Sequence, residues 1–153
     1  MESGKCSVEE FAEGFLREWP MKVGAEEFLA ELRTWPLRLF PGVAETLQQL
    51  SKNFTVACLS NTNPLHWPRE RDAMGLGRLF SRQYISYEIG YLKPDSKAFQ
   101  HAIDDLNCPP GQILFLDDRE ENIEAARNLG MGARRTVGID EVRAVLLELG
   151  LLG

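Results

Sequence analysis

Apolar residues recur along this chain at two different spacings, and the change between them divides it. Over Ser7 to Trp19, Phe11, Phe15 and Leu16 fall on one helical stripe behind a Ser7–Glu10 capping box, which predicts a helix. Gly24 to Trp35 predicts a second helix, with Phe28, Leu29 and Leu32 on one side and Pro36 as its stop. Pro41 to Lys52 predicts a third, with Pro41 in its first turn and Val43, Leu47 and Leu50 at helical spacing. Phe54 to Leu59 is then a continuous apolar run of strand length, the pattern of a parallel strand covered on both faces. An irregular helix over Pro64 to Gly75 and a weaker strand over Gln83 to Tyr87 come next. Asp95 to Asn107 reads as a helix facing inward through Phe99, Ala102, Ile103 and Leu106. Ile113 to Leu116 predicts a buried strand, Glu120 to Leu129 a helix closed by Gly130, Ala133 to Val137 a short strand, and Asp140 to Leu149 a last amphipathic helix.

From residue 41 onward helices and buried strands alternate, the signature of an α/β layer fold with a parallel sheet flanked by helices. Residues 1–40 carry helical patterns alone. The expected organisation is therefore a helical piece over 1–40 and an α/β core over 41–153.

Composition narrows the function classes. A chain of 153 residues can bury a real core without disulfides or metals. The net charge of -6, from 17 basic and 23 acidic residues with no basic run, gives no footprint for nucleic acid. An anionic substrate would need a local cation or a metal. Cys6, Cys58 and Cys108 are odd in number and widely spaced, which argues against a disulfide framework or a structural zinc site and favours a reduced, cytoplasmic setting. The acceptor pattern Asn53-Phe54-Thr55 follows no signal peptide and is expected to go unused. No apolar stretch approaches a membrane span.

Three polar sites directly follow predicted strands: Ser60-Asn61-Thr62-Asn63, Lys93-Pro94 and Asp117-Asp118. In open parallel sheets ligands bind outside the carboxyl ends of the strands, so the three should gather at one sheet edge. Adjacent carboxylates suit Mg²⁺, a lysine offers a compact positive charge to a phosphoryl group, and a serine hydroxyl with the amides after it can bind phosphate oxygens. Together they describe phosphoryl transfer. Each has a plainer reading alone. Asp118 could cap the following helix, with Glu120 and Glu121 at its positive end, Lys93 could be a solvated turn residue, and Ser60 an ordinary strand-end hydroxyl. The ordered combination outweighs those readings.

At this point the arrangement resembles the haloacid dehalogenase superfamily. CLSNTN at 58–63 is similar to its second motif, GYLKPDSKAF at 90–99 to its third, and ILFLDDREENIEAARNLGM at 113–131 to its fourth. Order and spacing match the branch with a small helical cap, and SNTNPLHW is similar to sugar-phosphate phosphatases of that branch, glucose-1-phosphate phosphatases among them. The phosphatase domain of soluble epoxide hydrolase is a more distant likeness. The resemblance implies a Rossmann-like fold and a Mg²⁺-dependent hydrolase of a small phosphorylated metabolite, working through an aspartyl-phosphate. It implies that Ser60 and the Asn61 amide bind the phosphoryl group and that Lys93 neutralises its charge. Asp118 would ligate Mg²⁺, Asp117 would ligate it or hold a metal-bound water, and Asn122 would steady the loop behind them. His66, after the Ser60 loop, could approach a substrate.

The resemblance also implies a first motif, D-x-D on a central strand, whose first aspartate attacks phosphorus. The seven aspartates here stand at 72, 95, 104, 105, 117, 118 and 140, and no two are separated by one residue. ESGKCSVEEFAEGFLREW is similar to the middle of the cap, so Met1 is expected to fall inside a partial cap, with the first strand and the nucleophile absent. In the family that strand lies between the one before Ser60 and the one ending at Asp117. The sheet is then expected to have an open slot, closed by direct pairing of those two strands or by a strand from a partner or a second copy. The chain alone is expected to be inactive. The alternative is a catalytically dead relative that binds phosphate or protein. A phospho-receiver domain is disfavoured by chain order, since its acidic pair comes first and its lysine last. A serine hydrolase is disfavoured because Ser60 has no G-x-S-x-G elbow.

Overall fold

The computed structural model describes residues 1–35 and 38–153. The Ser7–Glu10 spacing closes as a capping box. Ser7 Oγ accepts the Glu10 N–H at 3.1 Å and Glu10 Oε2 accepts the Ser7 N–H at 2.7 Å, opening α1 (Val8–Glu18). The second helix, α2 (Ala25–Leu32), starts behind Gly24 but stops before Trp35. Thr34 Oγ1 donates to the Glu31 carbonyl at 2.7 Å, a local bond that competes with continuation of the helix. Pro36, the expected stop, lies outside the described residues. The two helices join through Phe15 stacked on Phe28, with ring centroids 5.0 Å apart, and through Ala12, Leu29 and Leu32. Leu65, from beyond the first strand, completes that cluster.

Helix α3 (Val43–Leu50) follows Gly42, whose φ of 86° lies in the left-handed region, so Pro41 stands outside the helix and not in its first turn. The Phe54 N–H is taken by the Leu50 carbonyl at 3.0 Å. That exit turn delays the strand, and β1 is Ala57–Ser60 with Phe54 exposed. A π-helical turn, Arg69–Ala73, and the short α4 (Leu76–Leu79) lead to β2 (Arg82–Ile85). Ser86, expected inside that strand, instead opens α5 (Ser86–Ile89). Asp95 caps α6 (Ser96–Leu106) by accepting the Lys97 N–H at 2.9 Å, and left-handed Asn107 ends it. Then come β3 (Leu114–Asp117), α7 (Glu120–Asn128), β4 (Gly132–Arg135) and α8 (Gly138–Glu148). Helix α8 returns to α3, where Arg143 donates to the buried Thr46 hydroxyl at 2.8 Å.

The strands are parallel, as their apolar runs predict, but they form two sheets of two strands each. β1 pairs with β2 in the register Ala57↔Arg82 to Ser60↔Ile85, and β3 with β4 in the register Leu114↔Gly132 to Asp117↔Arg135. Among the described residues no ladder joins β1 to β3, so the direct pairing considered above is not found. Every residue of β1 and β3 is half-buried, although inner strands of a parallel sheet are normally covered on both faces. Side chains bridge what the ladder does not. Phe99 of α6, Ile123 and Ala126 of α7, and Ala133 of β4 form one core, with Leu59 and Phe115 packed against it. Phe99 meets Phe115 edge to face with centroids 5.2 Å apart. Among the described residues no helix is long and apolar enough to cross a membrane.

Candidate active site

Ser60 ends β1 and Asp117 ends β3, so the two stand at the same end of the two half-sheets. Lys93 connects them. Its backbone is clasped by Asn61: Asn61 Oδ1 accepts the Lys93 N–H at 2.9 Å and Nδ2 donates to the Lys93 carbonyl at 2.9 Å. Its ammonium group lies 2.6 Å from Asp117 Oδ2 and 5.5 Å from the centre of the Phe115 ring. Both charged side chains are about nine-tenths buried, at 11% and 8% exposure. The Ser60 loop is fixed from below as well, because the Ser86 hydroxyl accepts the Thr62 N–H at 3.1 Å and donates to the Thr62 carbonyl at 3.0 Å.

Asp117 is saturated. Besides Lys93, its Oδ1 accepts Asn122 Nδ2 at 2.8 Å and the Arg119 N–H at 3.0 Å. Burial alone would raise its pKa, but the bonds from Lys93, Asn122 and the Arg119 amide outweigh it and hold the carboxyl below the usual carboxylate range. Asp118 is exposed, and its carboxylate has no partner among the described residues. Its backbone is pinned instead, with Arg135 Nε donating to the Asp118 carbonyl at 2.8 Å. For a magnesium ion the donor set is hard oxygen and fits in part: Asp118 is free to ligate, while Asp117 already serves three donors. Among the described residues no group of three or more His, Cys, Asp or Glu side chains gathers around one point.

The structure therefore joins Asn61, Lys93, Asp117 and Asn122 through hydrogen bonds, with Ser60 next to Asn61 in the chain and Asp118 next to Asp117. His66 is turned elsewhere. Its Nε2 lies 2.8 Å from the Leu32 carbonyl and its Nδ1 lies 3.2 Å from Asn63 Nδ2, so both ring nitrogens are engaged within the protein.

This geometry has relatives. The model of the haloacid dehalogenase-like hydrolase family matches residues 8–130. The chain belongs to that family. It is 31% identical over 140 residues to D-ribitol-5-phosphate phosphatase of Bacteroides thetaiotaomicron, covering 85% of this chain and 66% of that one. It is 27% identical over 154 residues to flavin mononucleotide hydrolase 1 of Arabidopsis thaliana, covering 98% of this chain and 60% of the other. The family member thus spans about two-thirds of the length of these relatives. Its fold matches that of a haloacid dehalogenase family enzyme from Bacteroides thetaiotaomicron solved as a magnesium complex, with a TM-score of 0.85 at 23% identity over 95% of this chain and 76% of the other.

Several residues that build the candidate site carry little signal in the sequence. The residue pattern puts Ser86 inside a strand, and its ties to Thr62 depend on the β1–β2 register, which no local pattern reveals. Asn63-Pro64 carried a signal, since Asn before Pro favours turn initiation, and Asn63 Oδ1 does accept the Leu65 and His66 N–H groups. Arg135, across from Asp117 in the ladder, carried none.

Proposed function

We propose that this chain carries most of the active site of a magnesium-dependent phosphatase for a small phosphorylated metabolite. The observation that supports this best is the set formed by the Ser60 loop, Lys93 and Asp117 at the carboxyl ends of two facing half-sheets. In this reading the Ser60 hydroxyl and the Asn61 N–H donate to phosphoryl oxygens. Lys93, held by Asn61 behind and Phe115 beneath, offers its positive charge to the same group and exchanges part of its contact with Asp117 for it. Asp118 would hold magnesium, with Asp117 ligating it or holding its water, and the ion would supply further neutralisation of phosphoryl charge. Asn122 keeps the Asp117 carboxylate aimed. The related phosphatases of ribitol-5-phosphate and flavin mononucleotide support the substrate class and leave the metabolite open.

The nucleophile in this reading is an aspartate on an extended segment seated between β1 and β3, because the chain's own aspartates include no D-x-D pair. The open inner edges of both strands suit such a segment, from a longer form of the polypeptide or from a partner. Residues 1–40 then act as part of a cap beside the site. Three free cysteines suit a reducing compartment. The alternative, a phosphate- or protein-binding relative without turnover, differs in whether that segment exists. The intact mass of the protein from its native cells tests this. A mass above 17.3 kDa, with magnesium-dependent and EDTA-sensitive release of phosphate from a sugar phosphate, is expected. A mass of 17.3 kDa without turnover, alone or with partners that co-purify, favours the binding role.

A further inference from the structure

Leu32, the last residue of α2, and Asn63, the last residue of the Ser60 loop, are joined through one imidazole. Its protons can be assigned without freedom. Asn63 Oδ1 lies 3.0 Å from the Leu65 N–H and 3.1 Å from the His66 N–H. A backbone N–H can only donate, so the oxygen end of the amide faces both. Asn63 Nδ2, which can only donate, then lies 3.2 Å from His66 Nδ1, which must accept. An imidazole that accepts at Nδ1 carries a proton on Nε2. That nitrogen lies 2.8 Å from the Leu32 carbonyl, which can only accept. Asn63 and Leu32 are both buried, and His66 between them is half-buried. The next residue along, Leu65, is inserted among Ala12, Leu29 and Leu32, so apolar and polar contacts between the helical stretch and the core coincide. Beside them lies an open cavity of about 450 Å³ whose walls include Phe11, Leu32 and Trp35 from one side and Asn63, His66 and Leu92 from the other.

We propose that His66 is a positioning residue: a one-directional hydrogen-bond relay, Asn63 to His66 to Leu32, fixes the helical stretch on the loop that carries Ser60 and Asn61. This rests on the phosphatase reading only in treating that loop as part of an active site. The relay sets the width of the adjoining cavity, since the walls cannot part without breaking the bond to Leu32 and withdrawing Leu65. It also works in one tautomer alone. A proton on Nδ1 would point at the Asn63 amide hydrogens.

Long-range ¹H–¹⁵N correlation of the His66 ring in the intact chain tests the relay directly, and the Nε2–H tautomer is expected. In Asn63→Asp an acceptor replaces the donor facing Nδ1, and the ring is expected to take a proton on both nitrogens. Amide exchange across α2 supplies the mechanical test. Loss of one buried hydrogen bond in His66→Phe should speed exchange there roughly five- to tenfold, whereas His66→Gln, which still donates toward Leu32, should stay within about twofold of the parent. An Nδ1–H tautomer in the parent chain, or equal exchange in the Phe and Gln variants, would overturn the proposal. If a variant fails to fold, the parent spectrum still decides. None of these measurements reads turnover, so an absence of phosphatase activity and an absence of the relay are told apart.

Discussion

Asp117 shows at the scale of one residue how the site is held. A carboxylate this buried is tolerated because an ammonium, a side-chain amide and a backbone N–H all point at it. Asp117→Asn keeps the shape but leaves Lys93 buried without its counter-charge, and urea denaturation at neutral pH is expected to show a loss of about 3 kcal/mol. The acid limb should change as well. A carboxyl held below its ordinary value of 3.8 contributes stability that is complete above that pH and is lost as the pH falls toward the folded value. Stability measured between about pH 2 and 7 should therefore fall steeply below pH 4 in the parent and more gently in Asp117→Asn. Cys58 is the counterexample. Burial, with Glu70 adding and Lys93 opposing, pushes its thiol up to about 11, so it is a packing residue, as its apolar run predicts. Ser60 and the acidic pair were legible because they stand at the ends of apolar strand runs, whereas Lys93 lies beyond α5 and not directly after β2. The joint through His66 was not legible, since its acceptor lies 34 residues away at the end of α2.

At the scale of elements, the helices were read from their caps and periodicity, and their ends moved where a side chain bound the backbone, as Thr34 does after α2. The strands were read from apolar runs, but which strand pairs with which is a non-local matter that no run encodes. Their pairing makes a prediction of its own. In a parallel strand successive N–H groups point to opposite neighbours, and β1 and β3 each have a neighbour on one side. Residue-resolved amide exchange should therefore alternate along both strands, with amides facing β2 or β4 protected and those facing the gap exchanging far faster. Uniform protection would mean that something else pairs with the inner edges.

For the molecule as a whole, two open parallel edges are templates for another strand, and a net charge of -6 opposes their meeting. Sedimentation velocity should show the average mass of the isolated chain rising above 17.3 kDa as its concentration is raised, and more so at high salt, where charge repulsion is screened. A constant 17.3 kDa over a hundredfold range would mean that the gap is protected. The class of fold was legible from the alternation of helices and strands, whereas the division of the sheet was legible only through the family resemblance.

The missing ladder between β1 and β3 also changes what the covalent chain is for. Between Leu106 and Leu114 the backbone leaves one half-sheet for the other through left-handed Asn107 and the Pro109-Pro110 turn. No rung described here crosses with it. A molecule nicked at that turn would keep every rung of both half-sheets. Its two fragments would find each other again through the Phe99–Phe115 contact and the Lys93–Asp117 pair. The turn is a tether between complementing fragments, and the contacts that assemble the site are the same ones that would reunite them.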